Sequence, residues 1–323
     1  MNRNVVIEDA EYGFSLCHVE GRYFLETPDG GFRAVNEAVV RLLEKVARGE
    51  IALSALRTQA EGGEAIIDES HTSAEEALSL IEGYVEQGVL SEGDPVVEIV
   101  PPDDVALWPY VAGFLVLFSV FGLAVASIVS NASVAVVREV SVGHLAVTMA
   151  LSAAYLGIHE YGHYALSDRH FDPSVRFDFV NGVVPAVVTD TTGSWMLPRN
   201  WRILINLAGP LVELAAGLPL VALYYLYPQS LLAQILVVSI FAHVVLSLNP
   251  LIHGDGFWIL CDYFGLMNVR SKGIEDLTDL RPSWSAAYVV VSYGFGALVA
   301  VYMVVMLASF VGLVEVSLPI GFS

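Results

Sequence analysis

The chain has 323 residues, is 55% hydrophobic and carries charge on only 15% of its positions, a balance that excludes an ordinary soluble protein of this length. Its formal net charge of −20 repels phosphate and excludes nucleic acid as a partner. Cys17 and Cys261 lie in different regions, which excludes a disulfide framework and leaves both as packed thiols.

The charge is uneven. Residues 1–104 hold 22 acids and 7 bases, a net −15, and the remainder holds 13 acids and 8 bases, a net −5. Lysine occurs only as Lys45 and Lys272. An acidic, lysine-poor surface resembles the composition of salt-loving archaeal proteins; an acidic mesophilic protein is the alternative. From Leu107 onward the chain shows apolar runs of about 20 residues, long enough to cross a bilayer. Met1 to Glu11 is polar and acidic, so no cleavable signal is read there and the first apolar span is expected to direct targeting.

Short strands are expected at Phe14–Val19 and Arg22–Glu26, joined by Glu20-Gly21, and at Phe32–Val35 after the Asp29-Gly30-Gly31 turn. Asn36 is placed to cap a helix running to about Arg48, with Val39, Val40, Leu42, Leu43 and Val46 on one face and Gly49 as its stop. A second helix fits Ala52–Gln59. Ser73 and Glu76 make a capping-box pattern before a third, which turns Ala77, Leu78, Ile81, Tyr84 and Val85 inward and ends at Gly88. Val96–Val100 is expected to add a strand before Pro101-Pro102 opens a linker.

This order predicts a small α+β, winged-helix-like domain over residues 1–100. Arg22-Tyr23-Phe24-Leu25-Glu26-Thr27-Pro28, Ala34-Val35-Asn36-Glu37-Ala38 and Glu86-Gln87-Gly88-Val89-Leu90 resemble PqqD-like domains, which recognise leader peptides in ribosomal peptide maturation. The resemblance covers about 80 residues and implies peptide binding by residues 1–95, expected to fold alone. A generic winged helix serving assembly is the alternative.

Residues 101–323 are expected to form an α-helical membrane domain with about five transmembrane helices, near 107–130, 142–166, 203–226, 231–251 and 286–312. Five spans put the N-terminal domain on one side with Arg169, Arg176, Arg199, Arg202, Arg270, Lys272 and Arg281, against Arg138 alone on the other. The positive-inside rule then places that domain in the cytoplasm of a multi-pass cell-membrane protein.

Within the second run, His159-Glu160-Tyr161-Gly162-His163 is an HExxH pattern. On a helix, positions i and i+4 share a face, so two imidazoles can hold one metal ion while Glu160 takes a proton from water beside it. Burying two histidines and a glutamate in a bilayer is costly without such a use; plain packing is the bland alternative. Leu248-Asn249-Pro250-Leu251-Ile252-His253-Gly254-Asp255-Gly256 closes the fourth run. Counting residues places it near the membrane depth of the histidines, so it can supply a third ligand.

HExxH in one membrane helix and Asn249-Pro250 to Asp255-Gly256 in a later one resemble the site-2 protease family of intramembrane zinc metalloproteases. The closer similarity is to its peptide zinc metalloprotease branch, through Asp190-Thr191-Thr192, Trp195-Met196-Leu197-Pro198-Arg199, Ala208-Gly209-Pro210 and Phe257-Trp258-Ile259-Leu260-Cys261-Asp262-Tyr263. The similarity runs from about 150 to 270. It implies Zn2+ held by His159, His163 and Asp255, with Glu160 as base and Asn249 orienting substrate or helping the oxyanion. Glu213 departs from the family's usual asparagine, and its role is open between tuning the site and bonding a neighbouring helix. His144 and His243 read as helix-packing or interface residues, with contact to the site as the alternative. His253, two residues from Asp255, is a rival third ligand.

Val175–Val180 and Val183–Val188 flank Asn181-Gly182, a hairpin signal that predicts a membrane-associated hairpin whose second strand Pro185 weakens or places at an edge open to an extended substrate; an irregular loop is the alternative. The resulting expectation is a membrane-embedded zinc metalloendopeptidase acting on a membrane-associated or leader-bearing peptide. Its expected partners are the lipid bilayer and a peptide or membrane-protein substrate, with homo-oligomerisation open. A non-catalytic scaffold or exporter accessory, and a protease releasing a membrane-tethered transcription regulator, are the rivals.

Overall fold

Successive side chains of a strand point to opposite faces, so the adjacent buried Phe24 and Leu25 give the N-terminal sheet an apolar surface on each side. The computed structural model describes residues 1–28, 30–62, 74–131, 141–180 and 184–310. Strands β1 (Asn2–Ile7), β2 (Tyr12–Gly13), β3 (Ser15–Val19), β4 (Arg22–Glu26) and β5 (Phe32–Val35) precede helices α1 (Glu37–Ala47), α2 (Leu53–Gly62) and α3 (Ala74–Glu86). Strands β6 (Ser91–Glu92) and β7 (Val96–Val100) follow. The main sheet has the order β1-β7-β3-β4-β5. β3, β4 and β5 are antiparallel neighbours, whereas β7, reached after three helices, runs parallel to β3.

The expected strands and helices are present, each with a local cause. Asn36 accepts the Val39 N–H at 2.8 Å and starts α1; Gly49, at φ 69°, ends it in a left-handed turn that glycine adopts freely. Asp29 and Ser73, the expected turn and capping residues, lie outside the described residues. β1 is an addition to the expected set: its Asn2-Arg3-Asn4 start is polar and the strand is mostly exposed, so no hydrophobic alternation marks it. The topology also corrects the fragment 1–95. Such a piece lacks β7, which sits between β1 and β3 and bonds both; an independent domain must run through Val100.

Alternate residues divide between the two faces. Phe14, Leu25, Leu43, Val46, Leu56 and Ile81 pack between sheet and helices. Cys17, Val19, Phe24 and Ile99 form a second cluster with Met196, joined by Phe171 and Trp195. At about 25 cal/mol per Å², removing such side chains from water is worth roughly 1.5–3 kcal/mol each, so this second face is a docked surface. Burial, then the Glu98 charge, raises the Cys17 thiol to about 11, which keeps it protonated and unreactive.

The remaining elements are α4 (Trp108–Asn131), α5 (Val142–Ser167), β8 (Ser174–Val180), β9 (Val184–Asp190), a 3-10 turn at Thr192–Met196, α6 (Arg199–Leu226), α7 (Leu231–Ser247), α8 (Asp255–Phe264), α9 (Val269–Thr278) and α10 (Trp284–Phe310). β8 and β9 pair as a two-stranded sheet, as expected; the Asn181-Gly182 turn lies outside the described residues. Among the described residues four helices, α4, α5, α6 and α10, are long and apolar enough to cross a membrane. The expected fourth span, at 231–251, is shorter: α7 has 17 residues, about 25 Å at 1.5 Å per residue. The reason is Asn249-Pro250. Proline lacks the N–H a helix needs and disfavours helical backbone before it, and the Asn249 Oδ1 instead accepts the Leu251 N–H at 2.9 Å.

The chain divides into two units, Met1–Leu115 with Leu156–Phe179 and Pro185–Val212, and Val116–Tyr155 with Val180–Val184 and Glu213–Ser323. The first joins the N-terminal sheet to the HExxH segment. In the second, Gly217 admits the Phe121 ring, to which an added Cβ would come within 2.7 Å. There too, the hydroxyls of Tyr288 and Ser292 on α10 donate to the Pro250 and Leu251 carbonyls, both at 2.6 Å.

Candidate metal centre

In the first unit the HExxH residues occupy the last turns of α5. His159 and His163 are buried, at 4% and 5% exposure, and Glu160 is half-buried. The His163 Nδ1 lies 2.7 Å from the Ile205 carbonyl oxygen. A carbonyl only accepts, so Nδ1 carries the proton and Nε2 presents its lone pair. That Nε2 lies 3.1 Å from the Nε2 of His159. Two imidazole nitrogens sharing a tetrahedral zinc at 2.0–2.1 Å stand about 3.3 Å apart, so the pair fits one ion. His159, Glu160 and His163 form a group whose donor atoms, all within 4.8 Å of one another, are able to hold a metal ion.

Glycine makes the space. Gly209 on α6 lies directly beneath the pair: a Cβ there would be 2.3 Å from the His163 Nε2 and 2.7 Å from the His159 Nε2. Gly162 performs the matching service on α5, where a Cβ would come within 2.6 Å of the Ala208 carbonyl oxygen. The two helices therefore touch backbone to backbone at the level of the imidazoles. Ala208-Gly209-Pro210, singled out from resemblance alone, acquires a physical role here.

Glu160 is held from the hairpin. The Thr189 N–H donates to its Oε2 at 2.7 Å, and the Thr189 hydroxyl donates to its backbone carbonyl at 3.1 Å. β9 then turns at Asp190, whose Oδ1 accepts from the Thr192 N–H at 3.0 Å and the Thr192 hydroxyl at 2.5 Å. Burial raises the Asp190 carboxyl, but these bonds and the Arg176 charge outweigh it and hold it below its ordinary value. The stabilisation this carries is present above the usual carboxylate range and is lost as pH falls through the lowered value. Thr189 carried no signal in the sequence, because its contact is made through the backbone.

In the second unit Asp255 opens α8, where the free N–H groups of a helix start favour a carboxylate. The Ser247 hydroxyl donates to its Oδ2. Gly256 permits the sharp return from α7, since a Cβ would strike the Leu248 carbonyl oxygen. His253 packs its ring 5.0 Å from that of Phe257 and 5.2 Å from that of Trp258. Burial and the Arg270 charge lower its pKa, so the ring is neutral at neutral pH. Glu213, 1% exposed, pairs with the His243 Nδ1 at 2.9 and 3.0 Å, a bond from α6 to α7. His243 is thus a partner of a buried carboxylate. His144 sits at the start of α5 beside the Ser141 hydroxyl, 2.8 Å from its Nδ1.

No family model, curated protein or solved structure matches this chain.

Proposed function

We propose that this chain is a membrane-embedded zinc metalloprotease of the site-2 type, with its N-terminal domain in the cytoplasm recognising a peptide. The observation that carries the reading is the paired Nε2 atoms of His159 and His163, 3.1 Å apart over a glycine, with Glu160 fixed beside them. A bound zinc ion supplies Lewis acidity toward a peptide carbonyl and toward water. Within this reading Glu160 accepts the proton of the attacking water through its Oε1, the carboxylate oxygen to which the Thr189 N–H does not donate, and later returns it to the leaving amine. Asn249, with its Oδ1 engaged by Leu251, offers its Nδ2 to the substrate carbonyl. An extended substrate has the hairpin β8–β9 as a template for strand addition.

The test is made on the full chain in detergent, with a quenched fluorogenic peptide bearing one transmembrane segment as the probe. About one zinc per chain is expected, with cleavage abolished by a chelator and restored by added zinc. A protein that holds zinc and cleaves no probe from a broad set supports the scaffold instead. A protein without zinc ends the reading.

Within this reading the third ligand is Asp255, as the resemblance implies, a carboxylate suited to completing a site with two imidazoles. Purified Asp255→Ala is expected to lose most of its zinc and His253→Ala to keep it, as measured by atomic emission on the dialysed proteins. The reverse pattern transfers the role to His253.

A further inference from the structure

Glu20 stands at the tip of the β3–β4 hairpin in left-handed backbone, at φ 50°, followed by Gly21 at φ 75°. An L residue with a long side chain is disfavoured there, and a glycine would suit the turn better. What the side chain does accounts for its presence. Its Oε1 accepts the N–H of Arg199, the first residue of α6, at 2.9 Å. Its Oε2 lies 3.3 Å from the Arg202 guanidinium. Arg202 is 4% exposed and also donates to the Leu197 carbonyl at 2.6 Å. A carboxylate from the N-terminal domain thus caps α6, where free N–H groups and the helix dipole favour negative charge.

Helix α6 is the element that shapes the metal pair. Ile205, one turn past Arg202, fixes the His163 tautomer through its carbonyl, and Gly209, one turn further, leaves room for both Nε2 atoms. The apolar contact of Cys17, Val19, Phe24 and Ile99 with Met196 holds the hairpin at this helix start. We propose that Glu20 is a positioning residue for the His159–His163 pair, setting the start of α6, and through it the Ile205 carbonyl and Gly209, from the N-terminal sheet. The inference rests on the metal reading above. It makes the N-terminal domain part of the metal centre's support as well as a peptide-binding arm. By linkage, metal binding also tightens the docking of that domain.

The experiment measures Zn2+ affinity of the full chain by competition with a fluorescent chelator, for the wild type, Glu20→Gly and Glu20→Gln. Glycine keeps the turn and removes the carboxylate. Groups that orient metal-bound histidines typically contribute 10–100-fold in affinity, and Glu20 acts one step behind them, so about tenfold weaker zinc binding is expected for Glu20→Gly. Glu20→Gln, whose amide oxygen still accepts the Arg199 N–H, is expected to fall between. Amide exchange over residues 199–203 in the metal-free protein is expected to accelerate in Glu20→Gly. Zinc affinity of Glu20→Gly equal to the wild type overturns the inference and leaves the metal reading intact; should that variant not be recovered folded, Glu20→Gln decides by the same measure. A wild type that binds no zinc overturns both.

Discussion

Glu160→Gln is expected to leave zinc content at the wild-type level and to lower peptide cleavage by about 100-fold or more, the usual cost of removing a general base. The substitution is isosteric. The Gln side-chain oxygen still accepts the Thr189 N–H that Glu160 Oε2 accepts at 2.7 Å, and the Thr189 hydroxyl bond to the backbone carbonyl is untouched. The clasp between β9 and α5 therefore survives, and a loss of turnover reports the lost proton acceptor. The measurement pairs zinc stoichiometry with kcat on the same preparation. Undiminished cleavage removes Glu160 from the chemistry and favours the scaffold reading.

Gly209→Ala is expected to abolish stable zinc binding, by at least about 100-fold in affinity, the upper end of what neighbours of metal ligands contribute. The reason is steric. The new methyl would lie 2.3 Å from the His163 Nε2 and 2.7 Å from the His159 Nε2, closer than van der Waals contact allows, at the two atoms proposed to hold the ion. Relief requires α6 to move from α5, yet Gly162 already brings α5 against the Ala208 carbonyl, so the interface has little slack. Zinc retained by dialysed Gly209→Ala, measured by atomic emission, would show that the two imidazoles do not form the site.

These two expectations come from different levels of the molecule. Glu160 was legible at once, because HExxH is a local pattern: a helix turns 100° per residue and puts residues 159 and 163 on one face without help from the fold. Gly209 was legible only as part of a motif of resemblance, since nothing local says what lies above a helical glycine. Thr189 was not legible at all. Its contact with Glu160 joins residues 29 apart through a backbone N–H that every non-proline residue possesses.

The sequence by itself determined what short-range physics controls. It specified, among the described residues, four helices long and apolar enough to cross a membrane, the cap at Asn36 and the stop at Gly49, the expected strands of the N-terminal sheet, and the helical juxtaposition of His159 and His163. It overran the fourth apolar run because hydropathy does not see that Asn249-Pro250 ends the hydrogen-bond ladder before apolar composition does. Tertiary structure alone decided the rest. It placed β7 between β1 and β3, set Glu213 against His243, aimed the Ile205 carbonyl at His163, and brought Glu20 to Arg202 across 182 residues. Each of these depends on how one element's surface seats against another, and that is fixed by close packing over many side chains rather than by the spacing of any few.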